Sequence, residues 1–243
     1  MVRLDPRGRN NQLKNLEPTG FHRHLVVAAL LNKVVSLTGF EVRRAVKGPL
    51  TAKTMEYPGR YKAMVLNAIQ SIDLGKVDQV IQLFKAARAH GRRIFVCGSG
   101  GSDSVASHLL CDLVKEANYS HPSPFRILAL SDQLPKLIRI QDGLTKDRVF
   151  VEQLKNFAEP EDIVMGICAS GNAPSIVSAI EYAAWIGCRT VGVTGADGGK
   201  LSQLAELNIQ VPVSHMGSIE DAHLVICHMI GYYFADPETS DAR

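Results

Sequence analysis

The sequence predicts an α/β protein: a three-layer α/β/α sandwich on a five-stranded parallel sheet, preceded by a helical N-terminal arm. Two observations carry this. Short, almost wholly apolar runs recur through residues 94–213, and helical patterns separate them. Strands that are apolar throughout, with helices between, belong to parallel sheets covered on both faces. The composition agrees, because 46% hydrophobic and 21% charged residues in a chain of 243 is the balance of an ordinary globular protein. It excludes a disordered chain, a collagen-like repeat and a disulfide-built mini-domain. No apolar run approaches the ~20 residues of a membrane span; the longest, Leu25 to Val35, is broken by Asn32 and Lys33.

From Tyr61 to His90, apolar residues recur at helical spacing, and SIDLGK divides the stretch into two helices. Beyond Gly91 the pattern becomes strand–loop–helix. Ile94–Gly98 (IFVCG) is the first strand, and GSGGSDS opens a helix to about Lys115. Arg126–Leu130 is the second strand, followed by helical segments around Leu134–Ile140 and Asp147–Phe157. Asp162–Cys168 is the third; Pro174, favoured in a first helical turn, starts the helix after it. Arg189–Gly195 is the fourth, Asn208–Val213 the fifth, and a last helix spans about Ile219–Phe234.

Charge sets the front apart. Residues 1–53 hold ten Lys/Arg against Asp5, Glu17 and Glu41, a balance of +7, which leaves −4 for the rest. The expectation is a basic extension over residues 1–56 and a folded domain over 57–240, with no nucleic-acid-binding module. Two origins of the extension stay open: a targeting peptide without a secretory cleavage pattern, or a natural start at Met55. Five scattered cysteines without CxxC read as reduced thiols in a cytoplasmic protein.

The loops GSGGSDS, SDQLP, CASGNAPS and TGADGGK all follow strands, at the sheet edge where such folds bind ligands. GSGGS can cradle an anion on backbone N–H groups, or be merely a tight turn. It is not a dinucleotide fingerprint, since Asp103 stands where the third glycine belongs, and no GK[ST] follows for a P-loop.

Taken together, GSGGS, ALSD, SGN and TGADGGK in this order resemble the sugar isomerase (SIS) superfamily, and within it the phosphoheptose isomerases, over about residues 57–235. The resemblance implies a flavodoxin-like sheet, a sugar-phosphate substrate, a homotetramer with sites shared between subunits, and no membrane partner. It implies an aldose–ketose isomerisation through an enediol, interconverting sedoheptulose 7-phosphate and D-glycero-D-manno-heptose 7-phosphate or a related sugar. A carboxylate and a histidine would move the proton, and zinc would sit among four side chains. Those positions are His108, Asp112, Glu220 and His228, with Asp112 and His228 as the acid/base pair. The same resemblance gives Ser99, Gly100, Gly101, Ser102, Asp142, Ser170, Gly171, Asn172 and Glu220 to the substrate and its phosphate.

His108 and Asp112 are four apart and share a helix face; a plain surface His–Asp pair is the alternative. Glu220 and His228 are eight apart, about 12 Å along a helix, whereas ligand atoms of one zinc lie within ~4 Å of each other. They meet one ion only if the helix starts irregularly or two chains share the site. His223 and Cys227 form a rival i, i+4 pair that reads as core or interface.

The chain departs from the family at several places. The family's Ser-Thr-Ser-Gly-Asn-Ser phosphate loop is here Cys168-Ala169-Ser170-Gly171-Asn172-Ala173, the first-loop Asn is Ser99, and Glu and Gln are replaced by Asp112 and Glu220. A non-catalytic member of the same branch, a tetrameric scaffold binding a sugar phosphate or a protein such as the replication initiator, is therefore the second expectation.

Overall fold

A computed structural model describes residues 52–118, 123–132 and 146–236. Residues 1–51 of the expected extension (1–56), the helical segment at Leu134–Ile140 and Asp142 lie outside the described residues.

Helices α1 (Ala52–Gln70) and α2 (Leu74–Ala89) lead into the sheet. The break between them falls at SIDLGK, where Asp73 caps α2 by accepting from Gly75 N at 2.9 Å and Lys76 N at 3.2 Å. The strands are β1 (Arg93–Gly98), β2 (Arg126–Ala129), β3 (Ile163–Cys168), β4 (Arg189–Gly195) and β5 (Leu207–Val211). Between them run α3 (Gly101–Cys111), α4 (Val149–Phe157), α5 (Pro174–Trp185) and α6 (Gly199–Leu204); α7 (Met216–Tyr233) closes the fold. A 3₁₀ turn at Lys146–Arg148 introduces α4.

The sheet has the order β2-β1-β3-β4-β5, and every pairing is parallel. This is the doubly wound, flavodoxin-like arrangement that the alternating pattern predicts. Both faces are dry. Ile94, Val96, Met165, Val193 and Val211 pack on one side with α1, α2, α3 and α7, while Phe95, Cys97, Val164 and Cys168 pack on the other with α4, α5 and α6. Neighbouring strand residues thus serve opposite layers, which is why the runs carry no polar alternation.

The strand order reverses between β1 and β3. The loops after these strands, GSGGS and CASGNA, therefore flank one crevice at the carboxyl edge of the sheet. Among the described residues all five cysteines are free thiols, and no helix is long and apolar enough to cross a membrane.

Candidate metal centre and active site

Helix α3 starts at the crevice and carries His108 in its last turn. At Asp112 the helix widens into a π-helical turn, Asp112–Glu116; such turns recur at functional sites. Helix α7 also starts at the carboxyl edge and lies along α3, with His228 near its end. His108 Nε2 and His228 Nε2 are 2.9 Å apart, their rings edge-on with centroids at 4.9 Å. Asp112 Oδ2 lies 3.7 Å from His108 Nε2 and 3.9 Å from His228 Nε2. Gly231 lets α7 approach here, since a Cβ on it would stand 3.1 Å from Asp112 Cβ.

Asp112 is only 7% exposed, and its Oδ2 has no hydrogen-bond partner among the described residues. A buried acceptor left bare costs about 1–3 kcal/mol, so a group that bonds it would stabilise the site. Two imidazoles and a carboxylate, with ligand atoms all within 4.8 Å of one another, fit a divalent cation.

Glu220 is not part of this group. Helix α7 runs without a break from Met216, and the eight-residue rise separates Glu220 from His228 as the spacing requires. Its carboxylate rests instead on the glycine loop, 2.4 Å from where a Cβ of Gly101 would be. The four-ligand expectation is therefore corrected within one chain: three side chains gather and the fourth stands at the substrate loop. The irregular helix start that could have brought Glu220 in is absent. His223 and Cys227 are fully buried in the core layer, as the plainer reading held. Burial pushes the Cys227 thiol up to about 12 and the His223 imidazole down to about 4.

Of the loop residues, Ser99, Gly100 and Gly101 are exposed at the crevice, and Ser102 is buried. In the second loop Gly171 takes a positive φ of 64°, and a Cβ there would overlap Gly198 O at 1.9 Å. Only glycine fits, and the two loops interlock: Leu201 N donates to Gly171 O at 2.9 Å, and Lys200 N to Asn172 Oδ1 at 3.1 Å. Asn172 Nδ2 donates to Ser170 O at 2.9 Å, so both ends of that side chain brace the loops. Ser170 Oγ accepts from Asn172 N and sits 3.5 Å from the buried Cys168 Sγ. Ala173 is the N-cap of α5 and supplies no side-chain cap.

A cavity of about 510 Å³ opens beside the triad, lined by Gly100, Asp103, Ser107, His108, Ser131 and Asp132. Ser131 donates to Asp103 and Ser107 to Asp132, stitching the loop after β2 onto α3. Burial, and to a lesser extent the nearby Asp132, raise the Asp103 carboxyl, against the lowering effect of the Ser131 bond. Sequence reasoning singled out both loops and missed these two carboxylates; their place after a strand and in a first helical turn was the available signal.

Residues 59–195 match the family described as SIS domain. A phosphoheptose isomerase of Geobacter sp. (strain M21) is 32% identical over 166 residues, covering 68% of this chain and 86% of that protein. One of Akkermansia muciniphila is 32% identical over 156 residues, or 64% and 82% of the two chains. Among solved structures, a phosphoheptose isomerase from Francisella tularensis superposes with a TM-score of 0.70 at 20% identity, covering 76% of this chain and 99% of that one.

Proposed function

Because the chain belongs to the SIS-domain family, we propose that it is an aldose–ketose isomerase acting on a phosphorylated sugar, a heptose 7-phosphate such as sedoheptulose 7-phosphate or a close relative. The observation that carries this reading is the triad His108, Asp112 and His228, closed around a bare buried carboxylate oxygen.

Aldose–ketose exchange moves one proton between neighbouring carbons through an enediol, so it needs a base at carbon and an acid at oxygen. The Asp112 carboxylate takes the C–H proton and returns it to the adjacent carbon. His228 supplies the proton that goes to the carbonyl oxygen and recovers one from the neighbouring hydroxyl as the new carbonyl forms. The two facing Nε2 atoms are 2.9 Å apart, one donating and the other accepting, and a bound cation would take the place of the proton they share. His108, Asp112 and His228 would also hold the metal, and two His with one carboxylate is the donor set of open catalytic zinc sites. A bound divalent cation supplies polarisation of the substrate oxygen. The start of α5 receives the phosphate.

Glu220 reaches a triad only from a second copy of the chain, which favours a homo-oligomer with composite sites, a tetramer as in the resemblance. The separation of Glu220 and the hydroxyl-poor loop of Cys168, Ala169 and Ala173 favour, as second reading, a sugar-phosphate-binding SIS domain without turnover.

Two measurements on the purified full chain decide between them: divalent metal content, and isomer exchange of sedoheptulose 7-phosphate. About one ion per chain with exchange supports the enzyme. Sugar-phosphate binding without exchange in metal-loaded protein overturns it for the second reading.

A further inference from the structure

Tyr61 on α1 reaches across 160 residues of sequence to the first turns of α7. Its hydroxyl donates to Asp221 Oδ2 at 2.8 Å, and its ring stands edge-on to His215, centroids 5.6 Å apart at 75°. His215 is the N-cap of α7, its Nδ1 accepting from Ser218 N at 3.2 Å and its carbonyl from Ser218 Oγ at 2.9 Å. The phenol fits because residue 217 is glycine; a Cβ there would lie 2.9 Å from the hydroxyl. Glu220 immediately precedes Asp221, with its carboxylate on Gly101. Among the described residues no hydrogen bond or ion pair holds that carboxylate, so its place over the glycine loop follows from how the turn beneath it is seated.

We infer that Tyr61 is a positioning residue for the site: clasped to Asp221 in the space left by Gly217, it seats the start of α7 so that Glu220 faces the glycine loop and the substrate hydroxyls bound there. The inference rests on the isomerase reading of that loop. Glu220 is one of the places where this chain departs from its family, and the clasp gives that departure a fixed geometry.

Tyr61→Phe keeps the ring and removes the donor. Gly217→Ala attacks the same contact from the other side, by setting a methyl group against the hydroxyl. In the full-length, metal-loaded protein, Tyr61→Phe is expected to raise KM for sedoheptulose 7-phosphate by about three- to tenfold, the range of one net hydrogen bond. Metal content and kcat stay near wild type. Hydrogen exchange quickens at residues 216–221 but not around His228. Gly217→Ala reproduces the KM change in the wild-type background and adds little to Tyr61→Phe, because two changes acting on one contact are non-additive. An unchanged KM in Tyr61→Phe overturns the positioning role even if exchange quickens, since the clasp is then structural only. Fully additive effects of the two substitutions overturn the shared contact. A wild type that turns over no sugar phosphate overturns the isomerase reading, and this inference with it.

Discussion

Lowering the pH from 7 to 4 should cost this fold stability through one side chain, His223. The imidazole is fully buried on α7, and neither ring nitrogen has a hydrogen-bond partner among the described residues. Burial holds it at about 4 against an ordinary 6.5, with the nearby backbone of Thr194 acting in the opposite direction. The unfolded chain takes up a proton as pH falls below about 6.5, whereas the folded chain refuses one until about 4. Stability is therefore full above 6.5, falls between 6.5 and 4, and levels off below. At 1.36 kcal/mol per pH unit of difference, the loss is about 3 kcal/mol. His223→Leu removes both the titration and two bare polar atoms, so it should be neutral or mildly stabilising at pH 7.5. Urea denaturation of both proteins at pH 7.5, 6, 5 and 4.2, with chelator throughout, isolates the term, since all other titrations are common to the pair. The gap between the curves should widen by about 3 kcal/mol towards low pH. Parallel stability curves would refute the burial argument.

Chains carrying His108→Ala and His228→Ala, when mixed into one oligomer, should not complement, because one chain supplies both imidazoles. Mixing His108→Ala with Glu220→Ala chains should restore part of the activity if sites are composite; steady-state rates of the mixtures read both outcomes. Asp112→Ala should lower the affinity for divalent metal by at least about tenfold, seen by titration calorimetry with zinc. Ala173→Ser should stabilise the fold by about 1 kcal/mol in denaturant melts by giving α5 its missing cap. Arg88→Ala should cost about 3 kcal/mol, since the guanidinium donates to Ser123 O at 2.8 Å and Ala117 O at 3.1 Å and lies over the Phe125 ring.

The layers were legible because β1 and β3 are apolar at nearly every position and β4 in its middle, and each ends in a loop of small residues. Pro174 and the SIDLGK break marked helix starts by local chemistry alone. The distance between Glu220 and His228 was likewise readable, because helical rise is fixed. What the sequence hid depends on contacts between distant segments. Asn172 looks like a ligand-facing side chain until the TGADGGK loop arrives to occupy its Oδ1, while its Nδ2 is held by Ser170 O in its own loop. Tyr61 and Asp221 meet only after the chain has wound the whole sheet. No local signal separates the π-turn at Asp112 from ordinary helix, since Leu113 and Val114 suit either.

That π-turn makes the chain's tolerance of length change directional. It holds one residue more than an α-turn over the same stretch. Deleting one residue among Leu113, Val114 and Lys115 would let the helix run on regularly, with the residues on either side near their present places. His108 and Asp112 precede the cut, and the Ala117 carbonyl and Asn118 would still reach Arg88 and Phe125 N. An insertion there has no such slack. A further residue would turn everything after it by about 100° around the axis, taking the Ala117 carbonyl from Arg88 and Asn118 from Phe125 N, which it now holds at 2.7 Å. The chain can thus shorten at this turn and still arrive correctly at β2, but it cannot lengthen there.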